Sequence, residues 1–209
     1  RDREAPLLAG AKRASELGAK SIKLYLTPEY ATKYPQAWPE GIRSLGTLAN
    51  SAPFREVLAL PFDTVVLTTY SFSMGTGDPW RTQDLSALAE ADAVELEELV
   101  TVLSAQSSGQ RRTYILQTWE GDWAITAGDL HAPKDPARAQ RMASWLSRRH
   151  QVVAETADRV APPELTFASS VEVNRVLDAS GDEMRMVTDV LPGTCTDLVS
   201  YSAWEATDV

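Results

Sequence analysis

Hydrophobic residues recur along the chain with two periods, one typical of helices and one typical of strands. Over residues 4–18, leucine and alanine return every three or four positions up to Gly18, which predicts a helix that ends at this glycine. Over residues 21–26, SIKLYL, apolar side chains alternate with Lys23 and Tyr25. This two-residue period predicts a strand with one apolar side and one more polar side.

Four further segments have strand patterns. The centre of FDTVVLTTYSF, residues 62–72, is apolar on both faces, which is typical of a parallel strand that is covered on both sides. The other three segments are TYILQTW at 113–119, LTFASSVEVNRV at 165–176 and TDLVSYSAWE at 196–205. The sequence therefore predicts five strands.

Helical patterns lie between the predicted strands. Residues 82–107 combine a stripe of leucine and valine with a glutamate-rich side, as in an amphipathic helix. Asp135 followed by Pro136 predicts a helix start, and this helix is expected to end near Val160. A shorter helix is predicted at 182–192. Strand and helix alternate throughout, which favours a single α/β domain with a parallel sheet.

Two architectures share this alternation, the doubly wound open sheet and the (β/α)8 TIM-type barrel. A nucleotide-binding open sheet carries a glycine-rich turn after its first strand, whereas GTG at 75–77 lacks the third glycine and an immediate helix. Polar and aromatic residues instead occupy the end of strand after strand, and a barrel gathers those ends around one mouth. We therefore expect one barrel domain over residues 1–209, truncated at both ends, with about five to six of its strands in this chain.

The chain is acidic. Its 20 Lys and Arg residues against 29 Asp and Glu residues give a formal net charge of −9, which opposes binding to nucleic acid or to anionic membranes. No apolar run approaches the roughly twenty residues of a membrane span. We expect neither a nucleic-acid partner nor a membrane span. The sequence leaves open the oligomeric state and the localisation, secreted or cytoplasmic.

Cofactor chemistry finds little support in the sequence. His131 and His150 are the only histidines, and neither has a second ligand at metal-binding spacing. The single cysteine, Cys195, has no partner for an internal disulfide, and no GxSxG motif of an α/β-type serine hydrolase occurs. We therefore expect no metal and no cofactor.

Glu120 and Asp122 lie between Trp119 and Trp123 in the stretch TWEGDW, where a predicted strand ends. Hydrolysis of a glycosidic bond needs one carboxylic acid to protonate the leaving oxygen and a second carboxylate as nucleophile or base. Tryptophan rings pack against sugar C–H groups, and their low polarity raises a carboxyl pKa toward neutral pH. Glu120 is therefore a candidate general acid, with its three neighbours as substrate-binding residues. The structural alternative is rim packing, with Asp122 capping a turn and Glu120 solvated.

Glu172 lies on a small, polar side of its predicted strand. Such a side suits a barrel interior that widens into a pocket, so Glu172 and Asn174 are expected to face the site. The alternative is that Glu172 forms a buried ion pair with Arg175 or Lys23.

Aromatic residues of other strands complete the predicted pocket. Tyr70 follows the second strand, and Tyr25 is two positions from Lys23 in the first. In the last strand, Tyr201 and Trp204 fall on opposite sides, so either can line the mouth.

Lys23 belongs to the same predicted substrate-binding group and supports a rival chemistry. A lysine inside a barrel strand can form a Schiff base, as in aldolases, when burial lowers its pKa. The structural alternative is that Lys23 anchors a neighbouring carboxylate.

The strand segments also resemble a known family. The series GAKSIKLYLTPEY, FDTVVLTTYSF, YILQTWEGDWA, SSVEVNRV and DLVSYSAWEA is similar to cellulase-like (β/α)8 proteins of the glycoside hydrolase superfamily, and it spans most of the chain. In the retaining clan of that superfamily, the acid/base glutamate follows the fourth strand and the nucleophile follows the seventh. If SIKLYL is the second strand, the resemblance implies that Glu120 is the acid/base. The usual Asn-Glu pair is Trp119-Glu120 here, and the seventh strand would lie outside these residues.

Three functions follow as expectations. The first is a hydrolase of O-glycosyl bonds that uses carboxylate acid/base catalysis on a carbohydrate substrate. The second is a barrel that binds carbohydrate, or acts as a scaffold, without catalysis. The third is an enzyme that uses Lys23 as a Schiff-base lysine.

Overall fold

A computed structural model describes residues 5–75, 85–107, 109–129, 131–176 and 181–203. Its helices are α1 (Pro6–Glu16), α2 (Tyr30–Lys33), α3 (Leu45–Ala49), α4 (Ala52–Leu58), α5 (Ser86–Gln106), α6 (Gly121–Thr126) and α7 (Pro136–Val160). Its strands are β1 (Ser21–Leu26), β2 (Thr64–Thr69), β3 (Arg112–Thr118), β4 (Leu165–Val173) and β5 (Leu198–Tyr201). A π-helical turn (Met186–Val190) and a 3-10 turn (Leu191–Gly193) precede β5.

The five strands form one parallel sheet in the order in which they occur along the chain. Helices or helical turns lie between successive strands, so the prediction of an α/β domain with five parallel strands is confirmed. The segment at 182–192 differs from the predicted helix, because it contains one π turn and one 3-10 turn. Pro192 lacks a backbone N–H, which limits the length of any regular helix there.

The two faces of the sheet have different surroundings. One face carries Leu24, Val65, Leu67, Leu116 and Val171, which are buried in the hydrophobic core together with the helices. The register places the opposite side chains on a second face, which we call the concave face. Its members include Lys23, Tyr25, Val66, Thr68, Ile115, Gln117, Ala168, Ser170, Glu172 and Ser200.

The sheet is curved around the concave face. Lys23 on β1 and Glu172 on β4 are three strand spacings apart, which corresponds to about 14 Å in a flat sheet. Side chains stand roughly perpendicular to a sheet, so a flat arrangement would keep these two apart. Their Nζ and Oε2 atoms nevertheless lie 2.8 Å apart. The strands must therefore bend toward each other on this side.

On the helix side, a buried ion pair joins α5 and α7 to β2. Arg149 donates to both oxygens of Asp92 and, through Nη2, to the main-chain and side-chain oxygens of Thr69. The indole of Trp145 also donates to Asp92 at 2.8 Å. Every hydrogen bond of the Asp92 carboxylate is thus internal, which offsets the cost of burying its charge. This network fixes the end of β2 against the helices.

Candidate functional site

The candidate site lies where the strands end, on the side of the concave face. Tyr70, Trp119 and Asn174 continue the alternation of this face just beyond β2, β3 and β4. The hydroxyl of Tyr70 donates to the main-chain oxygen of Trp119 at 2.8 Å and so ties two neighbouring strand ends together. The structure therefore brings these three predicted residues to one edge of the sheet.

Glu120 has an unusual backbone conformation at the start of α6. Its φ of 48° and ψ of 57° are left-handed, a region that costs a non-glycine residue about 1–2 kcal/mol. The next residue, Gly121, is crowded. A Cβ atom there would lie 2.9 Å from the Met186 side chain and 3.0 Å from the main-chain oxygen of Glu172. Position 121 therefore needs a glycine for close packing. The left-handed backbone conformation is adopted instead by Glu120, which has a side chain.

The half-buried Glu120 carboxyl lies in a mixed electrostatic environment. Burial is the largest cause that raises its pKa above the ordinary value, and the charge of Glu172 adds to this rise. Lys23 and Lys33 act in the opposite direction but do not cancel it. The acid form of Glu120 therefore persists to higher pH than that of an ordinary glutamate.

Trp119 and Trp123 lie on either side of Glu120 in the chain, and Tyr25 packs against Trp119. The rings of Tyr25 and Trp119 meet edge to face, with centroids 5.9 Å apart. Trp123 lies in the first turn of α6 and is 42% exposed, so much of its indole faces solvent. Trp119 and Trp123 thus bring aromatic surface into the same short segment as Glu120, whose carboxyl, unlike that of Asp122, is not fully enclosed.

Glu172 is 6% exposed and forms polar contacts across the concave face. Its Oε2 accepts from Lys23 Nζ at 2.8 Å and from Gln117 Nε2 at 3.1 Å. Gln117 also donates to Ser200 Oγ at 2.7 Å, so the network reaches from β1 to β5. Of the two ion pairs considered for Glu172, the structure contains the one with Lys23, whereas Arg175 pairs with Glu183.

Lys23 accordingly has an anchoring role. Its side chain is 38% exposed, and its ammonium group is held by the Glu172 carboxylate. This geometry matches the structural alternative to a Schiff-base lysine.

Asn174 presents a buried side-chain amide whose nitrogen and oxygen have no hydrogen-bond partner among the described residues. The buried Oε1 of Gln117 and Oγ1 of Thr68, both on the concave face, also lack partners in that part of the chain. Unsatisfied buried polar atoms are uncommon and call for water or a ligand. Three strands thus contribute unused polar groups to the same face.

Asp122 has a structural position instead of a place in the pocket. It is 0% exposed, and its Oδ2 accepts from the main-chain N–H groups of Asn174 and Arg175. Its Oδ1 accepts from the N–H of Met186 at 2.9 Å. The carboxylate therefore joins α6 to the end of β4 and to the π turn, and it has no exposed surface for a substrate.

Of the two aromatic residues predicted from the last strand segment, Tyr201 does not join the group. Tyr201 pairs in register with Val173, on the face opposite to Glu172, and is exposed. Trp204 lies outside the described residues. In β5, Ser200 lies on the concave face next to Glu172, and the alternation of the strand places Tyr201 on the opposite face.

Sequence reasoning did not identify Lys33, Gln117 or Thr68 as members of this region. Gln117 had a usable signal, since it is a polar residue with the same parity as Trp119 in an otherwise apolar strand. Lys33 lies in a Pro- and aromatic-rich loop without periodicity, and no pattern in the sequence connects it to Glu120.

No group of three or more His, Cys, Asp or Glu side chains in the described ranges is arranged to hold a metal ion. None of the helices described here has the length and apolarity to cross a bilayer.

Comparison with protein-family models, with curated proteins and with solved structures found no match to this chain.

Proposed function

We propose that the chain is part of a (β/α)8 barrel of the glycoside hydrolase type and that Glu120 is the general acid/base of an O-glycosidic bond hydrolysis. The barrel is supported by the sequential order of the parallel strands and by their curvature around the concave face. In such a barrel the functional residues gather at the carboxyl ends of the strands. The Tyr70, Trp119 and Asn174 positions fit that rule.

The observation that carries the proposal is the environment of Glu120. A general acid must keep its proton at the working pH, and burial together with the Glu172 charge raises the Glu120 pKa in that direction. The strained backbone of Glu120 adds support, because strain of this kind clusters at functional sites.

In the proposed reaction, the protonated Glu120 carboxyl gives its proton to the leaving glycosidic oxygen as the bond breaks. A carboxylate nucleophile bonds the anomeric carbon in the same step, and the Glu120 carboxylate then takes a proton from the water that attacks this carbon and releases the nucleophile. The rings of Tyr25, Trp119 and Trp123 give apolar faces for sugar C–H groups, and the unused polar atoms of Asn174 and Gln117 are available for sugar hydroxyls. The family resemblance assigns the nucleophile to a seventh strand, which has no counterpart among β1–β5.

Isosteric replacement of the proposed acid tests this function. Glu120→Gln should lower the turnover of aryl glycosides by at least about 100-fold, because the amide cannot supply the proton. Glu29→Gln, the same replacement at an exposed glutamate of the α2 loop, should leave turnover unchanged. Turnover of Glu120→Gln equal to that of the parent would remove Glu120 from the mechanism.

A non-catalytic carbohydrate-binding protein is the second candidate. It is favoured by the state of Glu172, whose carboxylate is already bound by Lys23 and Gln117 and is not free to act as a nucleophile. Binding of glycans by the parent protein without turnover of any matching glycoside would select this candidate. A covalent glycosyl-enzyme intermediate would select the hydrolase.

A further inference from the structure

The side chain of Lys33 occupies a specific place beside the proposed acid. Its Nζ lies 5.0 Å from the centroid of the Tyr25 ring and 5.6 Å from that of Trp119. Both contacts are within the range of cation–π attraction. The ammonium group therefore lies over the rings of Tyr25 and Trp119, and its charge acts on Glu120, the residue after Trp119, although Lys33 itself is exposed.

The loop that carries Lys33 is fixed to the sheet. The hydroxyl of Tyr34 accepts from the main-chain N–H of Tyr25 at 2.8 Å, and the indole of Trp38 donates to the Tyr34 oxygen. Trp38 packs in turn against Tyr30 and Phe54. Since α2 is anchored on both sides of Lys33, the position of the ammonium group is largely preorganised.

Lys33 has no carboxylate partner among the described residues. Glu29 is one helical turn earlier, yet its carboxylate accepts from Thr27, and no ion pair joins it to Lys33. The other cation of the site, Lys23, is already paired with Glu172. Within the described residues Lys33 thus forms no direct ion pair, and the carboxyl on which its charge acts is that of Glu120.

The charge of the region follows from these pairings. Among the described residues, Glu172, Lys23 and Lys33 are the charged side chains that act on Glu120. When Glu120 holds the proton that it must deliver, Lys23 and Glu172 form a neutral pair and Lys33 gives these described groups a net charge of +1. A local positive charge within an acidic protein favours one anionic group on the ligand.

Building on the proposed function, we propose that Lys33 forms an anion subsite and that the preferred substrate is a glycan with a carboxylate or sulfate group next to the bond that Glu120 cleaves. The Tyr25 and Trp119 rings hold the ammonium group from one side, and its remaining N–H donors can reach the anion from the other. A neutral glycan leaves this charge unused. Lys33 is therefore a specificity residue, and proton transfer remains with Glu120.

Paired ligands test the subsite in the Glu120→Gln protein, which binds without cleaving. One pair is tetragalacturonate and its methyl ester, and the other is a sulfated carrageenan oligosaccharide and its desulfated form. Calorimetry should give roughly tenfold tighter binding of the anionic member in at least one pair. The pair that shows the difference identifies the anion as carboxylate or sulfate.

Substitutions at Lys33 then test whether this residue causes the tighter binding of the anionic ligand. Lys33→Met should abolish the preference for the anionic member, Lys33→Arg should retain it, and Lys20→Met should retain it, since Lys20 lies at the opposite end of β1. Equal binding of both members by the parent, or a preference that survives Lys33→Met, would overturn the subsite and leave the proposed function standing. Failure to bind any glycan of either pair or of a neutral panel would overturn both.

Discussion

The ammonium group of Lys23, on the first strand, is 2.8 Å from the carboxylate of Glu172, on the fourth, although 149 positions separate them in the sequence. Two further strands lie between β1 and β4 in the sheet. The short distance between these two side chains therefore indicates that the sheet curves and brings the strand ends together on the concave face. The ion pair also holds in place the carboxylate whose charge acts on Glu120.

Lys23→Met should destabilise the fold by about 2 kcal/mol. This value lies between those typical of exposed and of buried ion pairs, because the lysine is partly exposed while Glu172 is buried. Urea unfolding of the two single variants and of Lys23→Met with Glu172→Gln gives the coupling energy, for which we expect about 1 kcal/mol. Additive effects of the two substitutions would show that the contact contributes nothing to stability.

Asp122→Ala should destabilise the protein by about 3 kcal/mol or more. The substitution leaves three main-chain N–H groups without their acceptor in a buried place. Thermal or urea unfolding measures the loss. Asp63→Ala, at an exposed aspartate before β2, is the control and should change stability by less than about 0.5 kcal/mol. A mild effect at Asp122 would mean that water replaces the carboxylate.

Glu120→Gly should stabilise the fold by about 1 kcal/mol while it removes the proposed acid. Glycine adopts the left-handed conformation of this position without the steric cost. Ala127→Gly is the matched control, because Ala127 has a φ of 59° at the end of α6 and carries no proposed function. Ala127→Gly should raise the free energy of unfolding by a similar amount and should retain activity. Urea midpoints measure both effects, and loss of stability in Glu120→Gly would show that the side chain makes a stabilising contact.

The stability difference between Glu120→Gln and the parent should depend on pH. The Glu120 pKa is raised in the folded state from its ordinary value of 4.5, so the native state holds more protons than the unfolded state just above that pH. The parent therefore loses stability as the pH rises through this window, and the glutamine variant does not. Unfolding free energies at about pH 4 and pH 8 should show a larger advantage of the variant at pH 8. A difference independent of pH would contradict the raised pKa.

The elements of the fold were predictable because their signals are local. The alternation in residues 21–26 and the Asp135-Pro136 start of α7 depend on neighbours within one turn or one pleat. The faces of a strand follow from the same rule, which places Glu172 on the concave face. For Tyr201 the rule needed the register with β4, which the sequence does not contain.

The candidate site was only partly predictable, because its contacts join distant segments. Glu120 and Asp122 are two positions apart and were both predicted to lie in the site, yet only the Glu120 side chain is partly exposed. The partners of Asp122 are more than fifty positions away, at the end of β4 and in the π turn. Lys33 approaches Trp119 through a loop whose course is set by aromatic packing, and such packing has no period in the sequence.

The crowding at Gly121 has an evolutionary consequence. Side chains of any size at this position would collide with the Glu172 main chain and with Met186, whereas Gly18 and Gly41 have open space around them. Among descendants of this chain, position 121 should stay glycine under selection for folding alone. Its neighbour Glu120 should stay fixed only where selection acts on chemistry, so lineages that abandon the reaction would replace the glutamate first and keep the glycine.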